Sequence, residues 1–330
     1  MNREMTNVTQ KLWGWKVAAH LFLVGAGAGA YIASFFLSFL HPELASPFLR
    51  SAKVGIIAAV PLLIAGGIFF LANLGTKANA VRAFNRPWSS WLSAGSVIML
   101  LFITLDLVLI GTWVSAPAKP LSGGNLSLGI INLILAVFIL IYSGMLLKAL
   151  KPFTFWNTGL LPLLSVFAGL SAGIMVVVFV EAVCGFIYGA ALVQPVLLSI
   201  YHLNFILIIQ AVVLGWYLWR AAESPRTRGS LLIVTSGQLA LTFWLGVVVA
   251  GLTIPLAFGF YLVSAPPQSL VLLFILALEL SSFGIVGSLL LRYLILRAGT
   301  SATITIRGQS VHLPENARIP ASQRVKYHAD

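Results

Sequence analysis

Acidic side chains are almost missing from this chain. Asp and Glu together number 8 in 330 residues, and all charged residues make up 8%, where a soluble globular protein carries about a quarter. That scarcity, with 59% hydrophobic residues and a mean hydropathy of +1.00, excludes a soluble globule. The one cysteine, Cys184, excludes an internal disulfide and any CxxC metal or cluster motif. Nucleotide motifs are missing too: the Gly25 to Gly29 run has no preceding strand and lacks the last glycine of GxGxxG, and there is no P-loop. The net charge of +12 would point to nucleic acid in a soluble protein. Here the basic residues flank apolar runs, so topology and anionic lipid account for them, and no nucleic-acid partner is expected.

What is present is a series of apolar runs of 18 residues or more, each long enough to cross a hydrocarbon core of about 30 Å as a helix. Backbone in lipid must satisfy its own hydrogen bonds, which leaves helices or a closed barrel. Continuous apolarity without alternation selects helices. The expected fold is all-α and polytopic, with eight helices at 15–40, 51–74, 90–115, 127–148, 159–188, 196–219, 230–262 and 269–296. Two four-helix halves would suit that number. Breakers mark the connections: His41-Pro42, Arg86-Pro87, Pro117 to Gly124, Lys151-Pro152, Ser224-Pro225 and Pro266-Pro267. Pro61 and Pro255 fall inside helices two and seven and are expected to kink them. The first segment is too long and too Gly-rich for a cleaved signal peptide and is expected to stay in the protein.

The chain divides into a membrane domain, 1–298, and a basic polar tail, 299–330, in which Thr303 to Val311 has the pattern of a short hairpin or extended arm. Basic residues collect at the N-terminus, after helices two, four and six, and in the C-terminal segment with Arg292 and Arg297. The opposite side holds only Arg50, Lys53 and Lys119 of the 20 Lys and Arg. The positive-inside rule therefore puts both termini in the cytoplasm of a bacterial or archaeal cell membrane.

Ionisable side chains deep in a membrane segment are costly and mark function by default. His20 lies about 8 Å into helix one from Trp15, and Tyr142 lies about 9 Å into helix four counted back from Lys148. An imidazole and a phenol at one level suit a ligand with two carbonyl oxygens, such as a quinone, because each oxygen needs a hydrogen-bond donor and, on reduction, a proton. His20, Val24, Gly27 and Tyr31 share a helix face, and glycine keeps that face low enough for a flat ring. The same Gly25-x-x-x-Gly29 spacing also serves plain helix packing, and both readings stand at this stage. Asp106, Glu181, His202 and Glu279 lie farther in and form a candidate proton path, against the alternative that each is hydrogen-bonded locally. His20 and His202 sit at opposite depths, so the pair does not have the spacing of a bis-histidine haem site.

The segment Trp15-Lys16-Val-Ala-Ala-His20-Leu-Phe-Leu-Val-Gly25-Ala-Gly27-Ala-Gly29, the eight-helix length and the basic C-terminal end resemble the NrfD/PsrC family, the membrane subunits of polysulfide reductase and related complexes. The resemblance implies electron exchange between the quinone pool, menaquinone or ubiquinone, and a ferredoxin-like iron–sulfur subunit wired to a molybdopterin-type or other catalytic subunit. It also implies no haem or iron–sulfur cluster in this chain. His20 and Tyr142 match the family's quinone head-group residues, and Lys16 stands where the family has a nearby Asn. In members with exported catalytic partners the quinone site faces outward. The charge distribution here puts the His20 end of helix one in the cytoplasm, which calls for a cytoplasmic catalytic arm. The rival reading is a secondary transporter, with Pro255 and the paired glycines marking broken helices and the acids binding a coupling ion.

Overall fold

A computed structural model describes residues 14–41, 51–73, 91–115, 124–150, 153–299, 304–306 and 309–311. The expected breakers Pro42, Pro87, Pro117 and Pro152, loop cations such as Lys77, Arg82 and Arg86, and the tail beyond Val311 lie outside the described residues.

The apolar runs form α1 (Trp15–Leu40), α2 (Ser51–Asn73), α3 (Trp91–Ser115), α4 (Gly124–Lys148), α5 (Leu160–Tyr188) and α6 (Val193–Glu223). A short α7 (Pro225–Thr235) follows, then a π-helical segment (Thr242–Thr253) running into α8 (Ile254–Ser264), and finally α9 (Leu270–Arg297). Seven stretches among the described residues are long and apolar enough to cross a membrane. One of them, Leu160–Glu223, has 64 residues, about three times what a single crossing needs. It reverses at Gly189, where φ is 59°, a left-handed conformation that glycine adopts without a Cβ clash. α5 and α6 then pack against each other, giving eight crossings among the described residues.

The seventh crossing corrects the expectation of one kinked helix over 230–262. α7 is a separate short helix that starts with Pro225 in its first turn, and the membrane segment begins only at Thr242. Pro255 does more than kink it. Proline lacks an N–H, and its ring clashes with the carbonyl four residues back, so the preceding turns widen to the five-residue register. The Ile254 N–H reaches Val249 O, and the Thr253 hydroxyl donates to Val248 O at 2.9 Å. The tail holds a two-stranded antiparallel hairpin, β1 (Ile304–Ile306) with β2 (Gln309–Val311), in which Ile304 faces Val311.

α1 is the pillar of the bundle. Of its most apolar stretch 83% is buried, against 22% for α3, and α1 packs on α2, α4, α5 and α9. Lipid is as apolar as any side chain, so helices associate by close packing rather than by hydrophobic segregation. Small residues make that packing possible. The Gly29 backbone meets Gly169 and Leu170 of α5, Gly173 meets Gly29 and Ala30 in return, and Gly55 of α2 meets Ala30. α1 and α5 thus form the seam between an N-terminal half, α1 to α4, and a C-terminal half, α5 to α9.

Candidate functional site

His20 sits in the second turn of α1 and is buried. Its Nδ1 lies 2.9 Å from the Gly66 carbonyl of α2. A carbonyl only accepts, so Nδ1 carries the hydrogen and Nε2 keeps its lone pair. Nε2 is buried with no hydrogen-bond partner among the described residues. The ring is tilted against Phe70 at 5.1 Å, one turn beyond Gly66, and Trp15 meets Phe69 edge-on at 5.5 Å. The last turns of α2 therefore hold the imidazole in one tautomer and one orientation, with one nitrogen left over.

Tyr142 is buried near the end of α4. Its ring fills the space where Gly95 of α3 would carry a Cβ, and it belongs to the same apolar cluster as Val17, Ala18 and Leu21 of α1. Imidazole and phenol thus flank the first turns of α1, at about 8 and 9 Å from the helix ends, but from different sides: His20 is held by α2, and Tyr142 by α3. Lys16 is exposed in the first turn of α1. Gly27 does not line an open floor, because Leu62, Leu63 and the Ala59 carbonyl of α2 occupy the space beside it. Its position lets α2 close on α1, which is what brings Gly66 within reach of His20.

The deeper polar residues fall into separate settings. Asp106 and Asn132 are fully buried, and neither carboxyl oxygen of Asp106 has a hydrogen-bond partner among the described residues. Tyr31 faces both, donates to the Gly129 carbonyl at 3.0 Å and meets Phe102 edge-on at 5.1 Å. These residues of α1, α3 and α4 lie about 12 to 14 Å from the helix ends opposite His20. Glu181 is buried on α5, His202 is half-buried, and Glu279 is exposed on α9. The His202 Nδ1 donates to Leu198 O of its own helix at 2.8 Å, which is a local solution. The fold joins Asp106 to Tyr31 and Asn132; it puts Glu181, His202 and Glu279 on three other helices.

One residue corrects the charge count. Arg292 counts by sequence among the cations flanking the membrane segments, yet it is buried inside α9. Its guanidinium donates to the Ser165 hydroxyl at 2.9 Å and to the Ser165 carbonyl at 2.8 Å, and it lies against Gly25 of α1. The signal is present in the sequence: Arg292 falls inside the apolar run of helix eight, more than one turn before its end. Counting it with the topological cations hides it, since long basic side chains near helix ends commonly extend to the interface. Here the small residues Gly25 and Ser165 leave room for it to turn inward.

The comparisons with known proteins agree over most of the sequence. The family described as polysulphide reductase, NrfD, matches residues 3–304. The C subunit of polysulfide reductase from Wolinella succinogenes is 27% identical over 315 residues, an alignment that takes in 87% of this protein and 94% of the relative. Protein NrfD of Escherichia coli K12 is 24% identical over 327 residues, taking in 87% of this protein and 95% of the relative.

Proposed function

The protein belongs to the NrfD polysulphide reductase family, and from that premise we propose that it binds a quinone at the His20 end of α1. It would exchange electrons there between the quinone pool and an iron–sulfur subunit. The family consists of membrane subunits of oxidoreductase complexes. The catalytic partner, of molybdopterin or another type, completes the complex in this reading. The transporter alternative falls behind it because the family match spans nearly the whole sequence.

The observation that carries the proposal is the His20 imidazole, anchored through Nδ1 and, among the described residues, unpartnered at Nε2. A buried polar atom without a partner costs about 1–3 kcal/mol, and a quinol hydroxyl supplies the donor that is missing. A quinone, menaquinone or ubiquinone, carries two electrons and two protons between its oxidised and reduced forms. His20 Nε2 accepts a proton from a quinol hydroxyl and, once protonated, donates it to a carbonyl. The Gly66 carbonyl keeps Nδ1–H in place throughout, so the ring needs no rotation between these roles. Tyr142 supplies the second hydrogen-bond donor from α4. Lys16, exposed at the mouth, attracts electron density on the bound ring, and Gly27 acts through the close approach of α2. Asp106, with Tyr31 and Asn132, offers a second protonatable group in the same half of the bundle. Glu181, His202 and Glu279, on three other helices, are the remaining candidates for a proton path. Both termini lie in the cytoplasm of the inner membrane in this reading, with the iron–sulfur subunit docked on that face.

The test is gentle detergent purification from native membranes, with iron, molybdenum and quinone analysis of what accompanies the protein. It is followed by turnover of His20→Ala and Tyr142→Phe complexes. Quinone-linked turnover is expected to fall about 100-fold or more for His20→Ala and about tenfold for Tyr142→Phe, while activity with an artificial electron donor persists. Normal quinone turnover in both variants removes the site. A metal-free and quinone-free preparation removes the oxidoreductase reading for this protein.

A further inference from the structure

A cavity lies away from His20, where the segment leading into α5 meets the end of α6 and the start of α7. It encloses about 320 Å³ and is lined by Thr154, Thr158, Arg220, Ser224, Arg226 and Thr227, among others. Its walls are tied together. The Tyr217 hydroxyl donates to Phe155 O at 2.7 Å, Thr154 Oγ1 to Arg226 O at 3.2 Å, and Thr227 Oγ1 to Ala221 O at 2.7 Å. The Ser224 side chain does not cap α7, so the positive end of that helix opens here without a side-chain acceptor. Arg220 pairs with Glu223 at 2.6 Å with both side chains well exposed, an arrangement that holds the guanidinium only weakly.

Beside this polar cavity runs an apolar crevice that shares Phe155 and Tyr217 with it and is walled by Leu214, Leu218, Val234 and Phe243. Exposed tryptophans flank the place: Trp216 and Trp219 on α6 and Trp244 on the π segment, whose indole N–H donates to Thr235 O at 3.0 Å. Exposed tryptophans at helix ends mark the headgroup level of a bilayer. A basic, hydroxyl-rich cavity at that level, beside tryptophans exposed to the bilayer, has the two-part chemistry of a phospholipid. A free phosphate would use the first part only.

We propose that this cavity is a specific seat for an anionic phospholipid. The phosphodiester sits between Arg220, Arg226 and the first turn of α7, and the acyl tails lie in the bilayer beside the exposed Trp216 and Trp219. The site belongs to the C-terminal half and does not depend on the quinone reading. It ties α5, α6 and α7 together at the membrane surface, as a lipid bound between helices does.

The test uses the delipidated full-length protein in neutral detergent and native mass spectrometry. The probes are phosphatidylglycerol, phosphatidylcholine and inorganic phosphate. Phosphatidylglycerol is expected to bind, with phosphatidylcholine and millimolar phosphate failing to displace it. Arg220→Gln with Arg226→Gln should weaken binding about thirty-fold. Glu223→Gln, which removes the neighbouring negative charge, should strengthen it several-fold. Arg228→Gln, outside the cavity lining, should change it less than threefold. Equal binding of phosphatidylcholine overturns the proposal. So does displacement by inorganic phosphate, which would identify a soluble anion as the occupant. A loss in Arg228→Gln as large as in the double variant would mean a diffuse basic face with no seat. If the double variant does not fold, Glu223→Gln decides: unchanged binding there overturns the seat.

Discussion

The two halves of the bundle carry different buried polar groups. In the C-terminal half the guanidinium and the indole are hydrogen-bonded, while Ser199 Oγ and Asn204 Oδ1 are buried without a hydrogen-bond partner among the described residues. Arg292 is held by Ser165, Ser171 donates to Gln210, and the Trp156 indole donates to Ile295 O at 2.7 Å. In the N-terminal half, His20 Nε2 and both oxygens of Asp106 are buried without a hydrogen-bond partner among the described residues. Native proteins leave few such atoms, and each asks for a reason. Satisfied groups hold a structure together; unsatisfied ones are kept at the expense of stability because something else uses them. In the proposed reading the chemistry falls to α1 to α4, where the unpartnered groups include an imidazole nitrogen and a carboxyl, and the α1–α5 seam joins them to the rest of the bundle.

The comparison can be broken most directly at the seam. Gly29→Ala puts a methyl into the Gly169 backbone, which cannot yield as a side chain can. A loss of about 3 kcal/mol, read from detergent or thermal unfolding, is expected, at the upper end for an overpacked site. Ser165→Ala takes one of two acceptors from the buried Arg292 guanidinium and should cost about 2 kcal/mol, with quinone-linked turnover per folded molecule unchanged. A stability-neutral Ser165→Ala would mean that Arg292 is not clamped there. Asp106→Leu tests the other half and carries the opposite sign. Removing an unpartnered carboxyl should raise stability by about 1 kcal/mol while lowering turnover, and a destabilised variant would show that Asp106 has partners. The smallest effect belongs to Gly25→Ala. The new methyl would meet the Arg292 guanidinium at 3.4 Å and Gly169 Cα at 3.6 Å, ordinary contacts, so stability should stay within about 0.5 kcal/mol of the parent, the range of a substitution that disturbs no packing. The four-residue spacing of Gly25 and Gly29 hides this difference, since only one of the two glycines touches backbone too closely for a side chain.

Much of the architecture is legible in the residues alone. Seven of the eight crossings begin and end within about four residues of the expected positions, because a run of apolar residues bounded by Pro, Gly and charge leaves the backbone no other way to satisfy its hydrogen bonds. The seventh is the exception because the run before Thr242 is apolar enough to look continuous, although the backbone turns at Ser236 and Gly237. Among the polar residues, Asp106 and Glu181 are buried as expected. Glu279 joins them only on depth, which says nothing about the side of the helix on which a residue lies. His202 belongs to the candidate proton path by depth, and its Nδ1 already donates to the carbonyl one turn back. Arg292 escapes a sequence reading because a cation near a helix end has two destinations, water or core, and the sequence does not separate them.

By itself the sequence determined that the protein lies in a membrane, how many times it crosses, and which acids and histidines fall within its apolar segments. Run length and the requirement for internal backbone hydrogen bonds decide these things, and neither depends on neighbours. Only the tertiary structure decided which way each helix turns. Its helices are apolar on every side and lipid competes equally for every face, so pattern carries little orientation. Gly27 toward α2 and Gly29 toward α5, Arg292 inward and Glu279 outward, the Gly66 carbonyl set beside His20: all follow from how small residues let particular backbones approach. It is that approach, not the histidine alone, that leaves one imidazole nitrogen without a hydrogen-bond partner among the described residues.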